Sequence, residues 1–164
     1  MALDLKIRPC LWFDTEAEAA AEHYVSIFPN SKILHISRYG ETGMREAGMV
    51  MTVEFELDGI GFTALNGGPQ FPHSEAAISF MLGCEDSAEV DHYWDKLSDG
   101  GKPGQCGWVT DKFGVPWQVI PKGMGEVLGD PDRERADRAM EAMLKMTKLD
   151  LDAMRAAADG ETPR

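Results

Sequence analysis

The segment Trp108 to Pro121, Trp-Val-Thr-Asp-Lys-Phe-Gly-Val-Pro-Trp-Gln-Val-Ile-Pro, restricts this chain more than any other stretch. Val109 and Thr110 lead into a Phe113-Gly114 turn, where glycine tolerates positive φ, and Val115 to Ile120 return as a β-branched and aromatic strand. Side chains alternate across a strand, so Val115, Trp117 and Val119 share one face while Pro116, Gln118 and Ile120 share the other. The first face is strongly apolar and must be covered. The second carries one polar side chain, Gln118, which makes it a candidate binding group.

A chain of 164 residues fills one domain, or two small modules sharing a core. Residues 5 to 13 read as a first strand, with Pro9 marking an edge or an irregular pairing. Thr15 with Glu18 is a capping-box signature for a helix whose stripe is Ala17, Ala20, Ala21, Tyr24, Val25 and Phe28, stopped by Pro29-Asn30. Three strands follow, over 32 to 39, 48 to 57 and 60 to 66, the last two joined by an Asp58-Gly59 turn. In the middle strand Met51, Val53, Phe55 and Leu57 alternate with Thr52, Glu54 and Glu56. A polar cavity and a solvated sheet face account equally well for the two glutamates.

Residues 67 to 75 break the periodicity and read as a connecting loop. Beyond it, Ile78 to Cys84 form a strand, and Asp86 with Glu89 opens a helix with the stripe Val90, Tyr93, Trp94 and Leu97. Gly100-Gly101 ends that helix, residues 102 to 106 allow a short strand, and the hairpin follows. Both halves therefore read βαβββ. Glu22-His23-Tyr24 and Asp91-His92-Tyr93 take matching places on the two helices, which makes His23 and His92 repeat-equivalent, structural or exposed residues.

From Lys122 the pattern changes. Asp130-Pro131-Asp132 opens a helix with the stripe Ala136, Met140, Met143, Leu144 and Thr147, and Asp150 caps a last short helix holding Leu151 and Met154. The expected class is α+β, with modules over 5–67 and 76–121 in a domain spanning 1–121, and a helical extension over 122–164. The Met-rich stripe packs on the domain or on a twin subunit.

A net charge of -12 and a pI near 4.7 argue against nucleic-acid and anionic-membrane partners, because phosphate contacts need clustered Lys and Arg. No apolar run approaches the ~20 residues of a membrane span, and the N-terminus lacks a basic-then-apolar signal pattern, so a cytoplasmic location is expected. Cys10, Cys84 and Cys106 are too few and too widely spaced for a disulfide framework or a structural zinc site. Cys10 and Cys84 sit in apolar runs as buried thiols, and Cys106 lies among glycines, with no histidine near it in sequence.

Four short segments on this doubled plan carry a family resemblance: Leu11-Trp12-Phe13-Asp14, Phe28-Pro29-Asn30-Ser31, Leu65-Asn66-Gly67-Gly68-Pro69, and Asp111-Lys112-Phe113-Gly114-Val115-Pro116-Trp117-Gln118. In combination they resemble the PhnB-like branch of the vicinal oxygen chelate superfamily, whose domain carries the name 3-demethylubiquinone-9 3-methyltransferase. The resemblance covers residues 5 to 121. It implies a glyoxalase-like fold, in which each module curls its strands around a concavity with helices outside, and a homodimer. Metal-dependent members bind a divalent ion through His and Glu side chains of the first and last strands of each module. The matching positions here fall near Ile7, Asn66, Ser79 and Gln118, none of them His, Asp or Glu, so no metal is expected. His35 and His73, in an early strand and the connecting loop, offer no familiar ligand spacing.

Methyl transfer would require an S-adenosylmethionine site, ordinarily a glycine-rich turn between a strand and a helix. Asn66-Gly67-Gly68-Pro69 follows a strand, but no helix follows it, so no cofactor is expected. The reading these residues support is binding of a small molecule in a mostly apolar cavity edged by Asn66, Ser79 and Gln118, with Gln70 and His73 added from the loop. Amides and hydroxyls hydrogen-bond without titrating, which suits recognition better than acid-base chemistry. Two alternatives stand beside it: an enzyme, lyase- or isomerase-like with a metal supplied by substrate contact or a base such as His73 or Glu54, or else the methyltransferase of the domain name, and a dimeric interaction protein using the Met-rich tail. Calorimetric titration with S-adenosylmethionine is expected to give no saturable heat; micromolar binding would restore methyl transfer.

Overall fold

The computed structural model describes residues 8–41, 44–73 and 78–161. The chain divides into two compact units, Met1–His73 and Ser74–Arg164.

The first unit holds β1 (Cys10–Phe13), α1 (Ala17–Ile27), β2 (Lys32–Arg38), β3 (Val50–Leu57) and β4 (Ile60–Asn66), in the sheet order β1-β4-β3-β2. β1 runs parallel to β4 and the other pairings are antiparallel. Asp58 and Gly59 both take positive φ, 47° and 79°, the two-residue turn whose twist matches the strands it joins. On one sheet face Val53, Phe55 and Leu57 lie beside Phe62 and Ala64, all buried. Tyr24 stacks on Phe55 with ring centroids 6.4 Å apart, so this is the face under α1. Ala17, Ala20 and Ala21 are fully excluded from solvent, since small side chains let the helix approach the sheet closely. Val25 sits half-exposed at the margin of this stripe, and Ile27 is buried in its place. The first strand begins later than its sequence suggests, at Cys10; residues 5 to 7 of the expected strand lie outside the described residues. Pro9 still joins the ladder through its carbonyl, which accepts the Thr63 N–H at 3.0 Å.

The second unit repeats the plan: β5 (Phe80–Cys84), α2 (Ser87–Ser98), β6 (Lys102–Pro103), β7 (Trp108–Thr110) and β8 (Pro116–Pro121), ordered β5-β8-β7-β6 with β5 parallel to β8. Asp86 caps α2 as its spacing suggests, its Oδ1 accepting the Glu89 N–H at 2.9 Å, while the Glu89 carboxylate accepts the Glu85 N–H at 2.8 Å. Val90, Tyr93, Trp94 and Leu97 are all buried, as are Cys84, Val109, Trp117 and Val119 of the sheet and Val115 at the end of the hairpin turn.

Three helices complete this unit: α3 (Met124–Leu128), α4 (Arg133–Met143) and α5 (Leu151–Ala158). Asp132 and Asp150 cap α4 and α5, accepting the N–H groups of Glu134 at 3.0 Å and Ala153 at 2.9 Å. The stripe expected on α4 is corrected. Ala136 and Ala139 face inward, whereas Met140 and Leu144 are exposed. Alanines permit close approach to α5, and Arg138 locks the pair by donating from Nε to the Ala158 carbonyl at 3.0 Å. The connection to α5 is tied to the loop before β7, where Cys106 and Gly107 donate their backbone N–H groups to Met146 and Thr147 at 2.8 and 2.7 Å. None of the described helices is long and apolar enough to cross a membrane.

The β7–β8 hairpin closes around Asp111, which is 3% exposed. Its Oδ1 accepts the N–H groups of Phe113 at 2.9 Å and Val115 at 3.0 Å, and its Oδ2 accepts the Trp117 indole N–H at 2.8 Å. Gly114 takes the positive φ, 89°, that the turn requires. Asp111→Ala would strand these donors in the interior and is expected to lower unfolding stability by about 3 kcal/mol. Urea denaturation checks this, and a midpoint equal to that of the parent chain would show that the carboxylate is dispensable.

Candidate functional site

Alternation along β8 places Trp117 and Val119 in the core and turns Gln118 to the face away from α2. Gln118 stands in register between Met81 of β5 and Trp108 of β7. Its Nε2 donates to Ser79 Oγ at 2.9 Å, so the structure brings together two residues 39 positions apart that the sequence nominated separately. Among the described residues the Gln118 carbonyl oxygen has no donor, and the Ser79 hydroxyl keeps its own proton to give. Met81 is 68% exposed beside them, and Trp108 is half-buried on the other flank. The arrangement presents one acceptor and one donor between two apolar walls.

Asn66 is placed differently from its expected position. It shares a face with Phe62 and Ala64, under α1, and is 2% exposed. Its Oδ1 accepts the Ala17 N–H at 2.8 Å and its Nδ2 donates to the Val50 carbonyl at 3.0 Å. Asn66 thereby does the work assigned to the Thr15 and Glu18 capping box, which does not form: α1 starts after Glu16 with no side-chain cap of its own, and the Thr15 N–H turns to the Glu16 carboxylate at 3.1 Å. Counting by twos along β4 from Phe62 would have shown that Asn66 points at the helix.

The glycines that follow serve Trp12. Its indole donates to the Gly68 carbonyl at 2.8 Å, and a Cβ on Gly67 would fall inside its ring. Phe71 meets the same ring edge-on, with centroids 5.0 Å apart. Gln70 is exposed, with its amide folded over Gly68, where a Cβ would meet it. His73 packs on Phe13 at 5.2 Å, and its Nε2 is buried with no hydrogen-bond partner among the described residues. Asn66, Gln70 and His73 thus belong to the first unit, while Ser79 and Gln118 belong to the second.

The face of the first sheet turned away from α1 carries residues that sequence reasoning weighed only in part. Glu54 is 13% exposed, so it is an enclosed carboxylate and not part of a solvated face. Arg8 accompanies it, with Nη2 3.5 Å from its carboxylate and Nε donating to Thr63 Oγ1 at 2.8 Å. The period that puts Trp12 and Cys10 on this face continues to Arg8, a signal present in the sequence. Glu56, more exposed, pairs with Lys32 at 3.6 Å.

The thiols of Cys84 and Cys10 are not set up as nucleophiles. Burial pushes the Cys84 thiol pKa up to about 11, with the Glu89 charge adding to the effect; Cys10, expected to be buried, is an exposed residue, and partial shielding of its thiol raises its pKa against the opposing pull of Arg8. Both groups stay protonated at neutral pH. A cleft of about 590 Å³ opens near the N-termini of α2 and α5, but its cations are already matched, Lys122 with Glu85, Lys148 with Asp91 and Arg155 with Asp152.

Donor chemistry at the positions matched to the superfamily's metal ligands does not fit a Lewis-acid ion. Gln118 Nε2 and Ser79 are engaged with each other, the Asn66 amide is committed to backbone, and Ile7 lies outside the described residues. Among the described residues no three His, Cys, Asp or Glu side chains gather as a metal ion would require.

A family model described as 3-demethylubiquinone-9 3-methyltransferase matches residues 5–120. Among solved structures, a putative 3-demethylubiquinone-9 3-methyltransferase, PhnB protein, from Bacillus cereus is 33% identical, with a TM-score of 0.62 over 71% of this chain and 99% of that one. Protein PA1353 from Pseudomonas aeruginosa is 21% identical, with a TM-score of 0.59 over 72% of this chain and 98% of its own, and so shares the fold. A glyoxylase/bleomycin resistance protein/dioxygenase domain from Frankia sp. EAN1pec aligns at 12% identity and a TM-score of 0.44, over 74% and 96% of the two chains. No curated protein sequence matches this chain.

The role of Asn66 as a remote cap has a measurable consequence. Asn66→Ala leaves the Ala17 N–H and the Val50 carbonyl without their partner, and is expected to cost about 2 kcal/mol of unfolding free energy. Chemical denaturation followed by far-UV circular dichroism reads this out, and an unchanged midpoint would remove Asn66 from the helix cap.

Proposed function

The chain belongs to the 3-demethylubiquinone-9 3-methyltransferase family, the PhnB-like branch of the glyoxalase-like superfamily, and from that premise we propose that it binds a small molecule through Gln118 and Ser79. The observation that carries this reading is the Gln118 Nε2 to Ser79 Oγ bond, which orients the carboxamide on the sheet face away from α2. An oriented amide with a hydroxyl beside it offers an acceptor and a donor together, while Trp108 and Met81 supply apolar flanks. The matching ligand is compact and partly apolar, and bears a carbonyl next to a hydroxyl or an amide. Gln70 and His73, on the loop beside Trp12 and Phe13, are the first unit's own candidate ligand groups.

A homodimer in the cytoplasm belongs to this proposal. β5 is an edge strand, and Ile78 and Met81 on or beside it are 79% and 68% exposed. An apolar edge of this kind calls for cover, and a second copy supplies it. The charge of -12 keeps nucleic acid and anionic membranes from serving as partners.

Native mass spectrometry of the purified protein identifies the ligand it carries, and calorimetry then compares affinities. Gln118→Leu keeps the side-chain volume and removes the acceptor, so affinity is expected to fall about tenfold while the unfolding midpoint holds. Equal affinity in the variant would take Gln118 out of the site.

A further inference from the structure

The sheet face that carries Gln118 differs in charge from the rest of the chain. Lys102 stands in register with Thr110, Thr110 with Pro116, and Trp108 with Gln118. Residues paired in this way project to the same side of a sheet, so a row ending in Thr110 and Lys102 runs beside the row of Met81, Gln118 and Trp108. Gly83 and Ile120 form the next row. The chain holds 28 acidic residues against 16 basic ones, yet no described strand residue on this face is acidic, and Lys102 is its one charge.

That charge is open to a ligand. Lys102 is exposed and, among the described residues, joins no ion pair, unlike Lys32, Lys122 and Lys148. A Cβ built on Gly83 would meet nothing within 4 Å, so no neighbouring side chain fills the space beside Gln118 there. The face is also sided. The Ser79 and Thr110 hydroxyls and the Lys102 ammonium group border it with donors, Met81, Trp108 and Ile120 supply hydrocarbon, and the Gln118 carbonyl oxygen lies between. Lys102 is two strands from Gln118, roughly 10 Å across the sheet, a gap that a lysine side chain and a compact ligand span together.

Resting on the reading that Gln118 and Ser79 bind a small molecule, we propose that this molecule is an anion, an N-acyl amino acid or close analogue, whose carboxylate is taken by Lys102. The ligand's amide N–H donates to the Gln118 carbonyl oxygen, its amide carbonyl accepts from the Ser79 hydroxyl, and its apolar acyl group lies on Met81 and Trp108. A cationic ligand meets the Lys102 charge with no carboxylate to offset it, and a neutral one leaves Lys102 unused, so this face selects for negative charge.

Calorimetry on the full chain with two probes tests this: N-benzoylglycine and N-benzoylglycinamide, which keeps the ring and the amide but replaces the carboxylate with a neutral group. An exposed ion pair is screened and weak, so the acid is expected to bind about fivefold more tightly than the amide at low salt, with the advantage shrinking in 0.5 M sodium chloride. Lys102→Gln is expected to abolish the advantage and leave the affinity of the amide unchanged, whereas Gln118→Leu weakens both probes alike. Absence of saturable binding by the acid, equal affinity for the two probes in the parent chain, or an advantage that survives Lys102→Gln overturns the assignment, and the comparison in the parent chain needs no variant to fold. If the probes bind equally, or neither binds, while a carried ligand still depends on Gln118, the preference for anions is ruled out and the Gln118 site stands. If the acid is favoured through Lys102 but neither probe responds to Gln118→Leu, the anion site stands and the role of Gln118 is lost.

Discussion

Asp111 accepts two backbone N–H groups and an indole N–H from inside the β7–β8 hairpin, and the second unit's chemistry depends on that arrangement. The bonds to Phe113 and Val115 set the turn, and the bond to Trp117 sets which way β8 faces. Once Trp117 is held in the core, alternation leaves Gln118 no choice but the opposite face. A one-residue slip would bury the amide and expose the indole. The carboxylate is therefore structural, and the positioning of Gln118 beside Ser79 follows from it.

Asn66 plays a comparable part in the first unit. It ends β4, reaches beneath α1 and joins the helix start to the first residue of β3 through the Ala17 N–H and the Val50 carbonyl. Both units thus spend a buried polar side chain on backbone groups that would otherwise lack partners inside the protein. The Gly67-Gly68 pair has an equally structural cause, since Trp12 lies against it and takes the Gly68 carbonyl. Segments that look like ligand-binding motifs in one dimension are partly the joinery of the fold.

Much of the architecture was legible because its causes are local. The Asp58-Gly59 turn, the Gly114 turn, and the Asp86 and Asp150 caps each depend on residues within a few positions, and each forms as read. The α2 stripe of Val90, Tyr93, Trp94 and Leu97 is buried throughout, because one sheet covers one helix face. Local rules failed where a distant group won. Thr15 and Glu18 have the right spacing, yet the α1 cap comes from Asn66, 49 residues from Ala17. On α4, hydropathy placed Met140 and Leu144 in the interior beside Ala136, whereas close packing against α5 kept Ala136 and added Ala139 in their place. Helix α3 escaped notice among Gly123, Gly125 and Gly129, which lower helix propensity without forbidding a single turn.

Sequence alone determined the doubled βαβββ plan, the parity of Gln118 on its strand and the residue types at the expected ligand positions, none of them His, Asp or Glu. Those properties follow from alternation, turn chemistry and side-chain type, which act over a few residues. Only the tertiary structure decided that Asn66 serves α1, that Ser79 orients Gln118, and that Arg8 meets an enclosed Glu54. Each of these is a contact between residues 39 to 49 positions apart. At that separation, strand register and helix packing choose the partner, and neither is written in any short window of the chain.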